Sequence, residues 1–373
     1  MSDYLKFYIP FGMVLSGCAG FVLGGAWTWL GFATFPLLAV IDTLLPVNMN
    51  RRRMNSAFWA TVPVWLAAAG TLIIYLVAAW RLSMGEPSTV ELTGIILSLT
   101  WLSVVPGGPA SHELWHMRHG PSRALGHLTQ ICMFDGLRDI GHVAGHHIDV
   151  CTPKDGDTSP RGQTLYWFAL HELFVSARIC LQLETSALVK RGKSPWHWSH
   201  RGWRFLLVQG LFQAVLFAIA GWLAVGVALV SMLAARIWVE SFNYFQHYGL
   251  VRLDGAPIGN RHVWNHMSEL SRVASFEITN HAGHHQDAYT PYYKLVPHPQ
   301  AIPMPSLFVC FFAALVPPLW HTRIIKPALK RWDLEYATAE ERIKAREQNA
   351  KAGWPDWVAE AGEAVGQAPT VGC

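Results

Sequence analysis

The chain has 373 residues, 51% hydrophobic and only 14% charged, against about 25% charged in a typical soluble domain. A net charge of +4, diluted over so much apolar sequence, gives no face for nucleic acid. The six cysteines (18, 132, 151, 180, 310 and 373) form no CxxC pair, which argues against a bound iron–sulfur cluster or zinc ribbon, and a disulfide framework does not suit a chain this long and apolar.

A membrane-spanning helix needs about 20 mostly apolar residues. Six stretches meet that length: 7–24, 26–46, 58–80, 89–106, 204–222 and 223–241. The first is not read as a signal peptide, because it lacks a strong basic start and a small-residue cleavage site, and a second apolar run follows at once. A seventh run, 304–320, is short and rich in proline, and is expected to be re-entrant or interfacial. Arg51, Arg52 and Arg53 separate stretches two and three. Ten Lys and Arg lie between stretches four and five, whereas the loop between three and four holds only Arg81. By the positive-inside rule the N-terminus, the 107–203 region and the C-terminal third then share the cytoplasmic side. The 18 tryptophans suit interfacial belts. The fold expected is all-α and integral to the membrane, with about six transmembrane helices and a cytoplasmic helical cap over residues 1–320. A polar tail, 321–373, follows. Within it 336–352 is predicted to be an exposed helix starting near Thr338, with Glu340 and Glu341 in its first turn; the last ten residues or so are expected to lack fixed structure.

The chemistry-bearing residues are histidines in four groups outside the predicted spans. They are His112 and His116 in HELWHMRH, His142, His146 and His147 in HVAGHH, His247 in NYFQHYGLVR, and His281, His284 and His285 in HAGHH. Imidazoles four residues apart share one helix face, and an adjacent histidine adds a donor beside it. Imidazole suits iron, copper, zinc and nickel. Nine such residues exceed the needs of one ion and suit two ions with four or five nitrogens each. His112-Glu113-Leu114-Trp115-His116 also matches the HExxH pattern of zinc proteases. Such a site takes three protein ligands, and would leave the other groups without a role. His127, His197, His200, His262, His298 and His321 are read as ordinary hydrogen-bonded or exposed residues, as is His171 beside Glu172. His119 and His266 join them less firmly: His119 is three residues from His116, and His266 lies between the third and fourth groups. The expected orienting partners of the imidazoles are Glu113, Asp139, Glu240 and Glu277, with Asn243 and Asn280 as hydrogen-bonding or capping residues. Asp149, Asp155 and Asp157 fit a solvated loop equally well.

No Gly-x-Gly-x-x-Gly follows a strand and no P-loop is present, so no flavin or nicotinamide site is expected. A redox pair beside a bilayer would draw electrons from another protein, and a basic face suits an acidic donor. A transporter would instead place its ligands within the spans.

The motifs PASHELWHMRH, RDIGHVAGHH, DTSPRGQTLY, KSPWHWS, ESFNYFQHYGLVR, EITNHAGHH, MPSLFVCFF and KAGWPDW together resemble the integral-membrane, histidine-rich di-iron superfamily of alkane hydroxylases and fatty-acid desaturases, over nearly the whole chain. NYFQHYGLVR is similar to the NYxEHYGLxR signature of the alkane hydroxylases, with Gln246 in place of Glu, and the match is closer to the xylene-type hydroxylases. The resemblance implies two non-haem iron ions on the nine histidines named above. It implies oxygen-dependent hydroxylation of a methyl group on an aromatic ring, and a separate NADH-dependent reductase carrying flavin and an iron–sulfur centre. The HVAGHH and HAGHH spacers differ from those of the xylene-type enzymes, which keeps p-cymene beside toluene and xylene as a substrate. Alkane hydroxylation, and desaturation in a long acyl tunnel, are the alternatives. Trp27, Trp29, Phe35, Trp59, Trp65 and Trp101 are candidates for lining a substrate route, although belt or packing roles are the ordinary expectation for any one of them.

Overall fold

The computed structural model describes residues 3–366; the predicted lack of structure at the extreme C-terminus falls largely outside them. Among the described residues, five helices are long and apolar enough to cross a membrane: Tyr4–Leu23, Gly25–Leu44, Ala57–Leu82, Thr89–His116 and Arg201–Gln246. The first three match the apolar stretches read from sequence to within three residues. Ser56 and Ser88, whose side chains accept from the backbone N–H of Trp59 and Glu91, cap the third and fourth.

The last of the five, 46 residues long, would extend about 69 Å if straight, roughly twice a bilayer core. It does not run straight. Ala220 and Gly221 leave helical geometry, Gly221 with φ +63°, and the chain doubles back there. Gln209 and Gln213 accordingly reach the sulfur of Met232 at 3.3 and 3.5 Å, across 23 and 19 residues of sequence. Glycine is the residue that takes such a φ at no steric cost, so the two predicted stretches 204–222 and 223–241 become the two arms of a hairpin.

The fourth helix departs from expectation. Its apolar part breaks at Val105 (φ −138°, ψ 113°), then resumes as Gly108–His116. His112 and His116 therefore sit on the direct continuation of a spanning helix and not on a separate cap element. The 304–320 run forms a short helix, Leu307–Ala314, capped by Ser306. At eight residues it cannot span, and Phe308 and Phe311 pack with Phe35, Trp101 and Trp238 in an aromatic layer beneath the site.

Buried charge ties the polar half together. Asp42, at the end of the second spanning helix, accepts from Ser268, Ser271 and Ser306. Arg52 and Arg272 both hold Glu277, where the backbone turns with φ +47° at Phe276 and +63° at Glu277. The predicted C-terminal helix forms as Ala339–Ala352 with Thr338 as its cap. It is not free in solvent, since Glu341 and Asn349 are buried.

Candidate metal centre

The structure draws the nine clustered histidines into one buried nest with two centres. His112, His116, His142 and His284 form one group, and His146, His247, His281 and His285 the other. His147 joins the first, its Nε2 3.0 Å from that of His142. His112 Nε2 lies 2.8 Å from His142 Nε2, His247 Nε2 2.8 Å from His281 Nε2, and His285 Nε2 3.1 Å from His281 Nε2. Two donors each about 2.1 Å from one ion and at right angles are about 3.0 Å apart, so these separations fit edges of a coordination shell. Among the described residues, both ring nitrogens of His116 and Nε2 of His284 are buried without a hydrogen-bond partner, a costly state that a metal ion would relieve at one nitrogen of each ring.

Local structure explains the convergence. His142–His146 is a π-helical turn followed directly by His147. This widened turn sends His142 and His147 to one centre and His146 to the other. His281–Gln286 is a single short helix that divides its histidines in the same way, His284 to the first centre and His281 and His285 to the second. His247 ends the hairpin's second arm.

Three ring orientations are fixed from behind. His146 Nδ1 is 3.0 Å from Asp155, whose carboxylate also accepts from the Thr158 hydroxyl and the Asp157 N–H. His247 Nδ1 donates to the carbonyl of His262 at 2.9 Å and His281 Nδ1 to that of Ile278 at 3.1 Å. Such contacts set the tautomer that turns Nε2 inward.

The residues expected to do this from sequence are engaged elsewhere. Glu113 accepts from the Tyr292 N–H. Asp139 is held by Arg201 through two 2.8 Å bonds. Glu240 is paired with Arg138 and Arg236, and Asn243 bonds Glu240 and Asp157. Glu277 pins the turn before His281 through Arg52 and Arg272. The side chain of Asn280 has no partner. Each sits near a ligand in sequence, but charge pairing directs Asp139, Glu240 and Glu277 to arginines, and Glu113 turns to a backbone N–H. Asp155, which the sequence left equally open to a solvated loop, is the carboxylate that orients a ring; its only sequence signal is that it follows HVAGHH within a turn-rich segment. His119 bonds Ser122 and His266 bonds the Pro305 carbonyl, and neither reaches the two centres. His262, also outside them, contributes its carbonyl while Glu341 holds its ring at 2.8 Å.

Burial first, then the neighbouring imidazoles, hold His142, His281, His284 and His285 well below the ordinary histidine value. The same causes bring His147 down to about 2 and His247, despite Asp155, to about 3. Burial also pushes His146 down, but Asp155 outweighs it and the net shift is upward. Neutral imidazole is the form that binds a metal. The sign for the metal-free protein follows: below about pH 6.5 the unfolded chain takes up protons that these folded imidazoles refuse. The metal-free protein is expected to lose stability as pH falls below about 7.5, the loss continuing toward the folded values of about 3 for His247 and about 2 for His147, read as a falling denaturant midpoint in detergent; a flat midpoint would contradict it.

An apolar cavity of about 90 Å³ opens on both centres at once. It reaches His112 and His142 of the first and His146 and His281 of the second, between walls that include Val105, Trp115, Met133, Val239, Phe242 and Leu307. None of the six aromatic residues suggested from sequence lines it. Phe35 and Trp101 belong to the aromatic layer, Trp29 and Trp65 bond Val90 and Ser122 through their indoles, and Trp27 and Trp59 are exposed on the outer helices.

Residues 87–302 match the sequence pattern described as fatty acid desaturase, more than half of the chain and all nine histidines. The chain belongs to that family. It is similar to the xylene/toluene monooxygenase hydroxylase component of Pseudomonas putida, 41% identical over 95% of this chain and 97% of that protein. It is also similar to alkane 1-monooxygenase 1 of Pseudomonas aeruginosa, 29% identical over 79% of this chain and 76% of the relative. An alkane 1-monooxygenase of Ectopseudomonas oleovorans is 27% identical over 78% and 72%. The chain is thus a monooxygenase of this membrane family, and its histidine nest is a metal-binding site.

Asp155→Asn is expected to weaken metal binding by about 10–100-fold, the usual cost of an outer partner, measured by iron retained against a graded chelator. Unchanged retention would show that Asp155 does not set the His146 ring.

Proposed function

We propose that the chain hydroxylates the methyl group of an alkyl-aromatic hydrocarbon of the toluene, xylene or p-cymene type to a benzylic alcohol. It does so with two iron ions on the nine histidines, dioxygen, and electrons from a separate NADH-dependent flavin and iron–sulfur reductase. The observation that carries this reading is the compact apolar cavity touching both histidine centres. A void of about 150 Å³ admits benzene; at about 90 Å³ this cavity is smaller, so its walls must give to admit even one small ring, and an extended alkane or acyl chain would demand more. The 41% identical relative, named for xylene and toluene, points the same way.

Bound iron would supply the two-electron activation of dioxygen. The chain's residues supply the rest. His112, His116, His142, His147 and His284 would hold one ion, and His146, His247, His281 and His285 the other. Asp155 and the carbonyls of His262 and Ile278 keep three rings turned inward. Val105, Val239, Phe242 and Leu307 exclude water and hold the methyl group against the centres, which favours reaction by placement. Overall, one methyl C–H becomes C–OH, and the second oxygen atom leaves as water with two electrons and two protons.

We further read six crossings, counting both arms of the hairpin, with the N-terminus, metal centre and C-terminus on the cytoplasmic side of a bacterial inner membrane. Supporting this, Lys6 and Asp3 near the N-terminus bond Glu269 and the backbone of Arg53. The N-terminus thus lies on the same side as the 269–285 segment.

The test is co-expression with a matching reductase and equal feeding of p-xylene, p-cymene and octane. Benzylic alcohols without 1-octanol are expected. Octanol as the main product would assign the chain to alkanes, and purified protein holding zinc alone would overturn the iron reading.

A further inference from the structure

Gly108 begins the helix that carries His112 and His116, with helical φ and ψ of −58° and −60°, so its backbone does not require glycine. Nor does crowding. A Cβ placed there would meet only Met133 Sδ and Val239 Cγ2, both at 3.7 Å, and the Ser103 carbonyl at 4.0 Å. Gly108, Met133 and Val239 all line the cavity, so the space beside Gly108 is cavity space.

Its level in the cavity follows from helix geometry. Gly108 is one turn before His112 on the same face, about 6 Å along the axis. On the facing wall Val239, Phe242, Asn243 and Gln246 follow the three-four spacing of a single helix stripe, and all line the cavity. Val239 is the member farthest from His247. The Gly108–Val239 pair therefore lies at the end away from the imidazoles, at about the depth of a benzene ring with its para substituent when the reacting methyl sits at His112.

We infer that Gly108 and Val239 form the gauge that sets the para substituent this enzyme accepts. This rests on the alkyl-aromatic reading above. Glycine leaves room for a group that alanine would displace, and Val239 limits how large that group is. A single methylene in an apolar pocket is worth about 10–200-fold in discrimination.

The experiment gives the enzyme toluene, p-xylene and p-cymene in competition and reads ratios of kcat/KM, with iron content measured for every variant. In Gly108→Ala the p-cymene to toluene ratio is expected to fall about 10-fold, with p-xylene between. In Val239→Ala the same ratio is expected to rise about 10-fold. Variants that hold full iron but leave the ratios unchanged, or that shift both in one direction, would overturn the gauge. Wild-type protein that holds iron and oxidises octane but none of the three rings would overturn the alkyl-aromatic reading itself, and the gauge with it.

Discussion

His146→Ala is expected to lower iron affinity by at least about 100-fold and to abolish product formation, since losing even an outer partner of a ligand costs about 10–100-fold. The reason lies in its position. His146 stacks against His142 of the first centre with ring centroids 5.3 Å apart, and lies 4.9 Å from both His247 and His285 of the second. It is also a nest imidazole anchored by a buried carboxylate, Asp155. Removing the ring strands that carboxylate and opens the second centre. Iron per chain after gel filtration is the measurement, and His119→Ala is the control, because His119 bonds Ser122 outside the nest. Full iron and retained turnover in His146→Ala would remove this residue from the ligand set.

The second large effect is expected from Asp333→Ala. Arg161 and Asp333 form a bidentate pair at 2.6 and 2.7 Å with both side chains fully buried. Arg161 also donates to Asn349 at 2.8 Å and to the carbonyl of Gly249, two residues past His247, at 2.9 Å. Taking away one partner leaves a buried charge without compensation, at about 3–5 kcal/mol. The denaturant midpoint in detergent should fall accordingly, and iron content with it. An unchanged midpoint would show that water reaches the guanidinium once the carboxylate is gone.

What the sequence revealed and what it hid divide along physical lines. Apolar length marks a helix that must satisfy its backbone in lipid, so the five long apolar helices were legible, although the sequence did not show that the last of them bends at Gly221. Histidine spacing marked eight members of the nest, because positions three or four apart share a face and an adjacent histidine sits beside them; His247, alone in its segment, was marked only by the NYFQHYGLVR signature. The orienting contacts were hidden. Asp155 acts through a loop with no periodicity, and the carbonyls of His262 and Ile278 carry no side-chain signature. Glu240 and Glu277 looked suited to orienting imidazoles because they adjoin ligands in sequence, yet each is claimed by one arginine a turn or so away, Arg236 or Arg272, and one distant in sequence, Arg138 or Arg52. Glu341 was legible as a first-turn acid of a helix begun near Thr338; the structure adds that it closes a capping box with Thr338. Nothing local showed that it also holds Arg261 and His262.

That last contact has a temporal meaning. The carbonyl behind His247 belongs to His262, and His262 is braced by a glutamate some 80 residues later in the chain. During synthesis the spanning helices can enter the bilayer and the histidines can gather while this brace does not yet exist. The brace on the His262 ring is complete only after residue 341 has left the ribosome and its helix has docked. Metal loading on this account is a late event in the life of the polypeptide, and a half-made chain would meet iron with an unfinished grip.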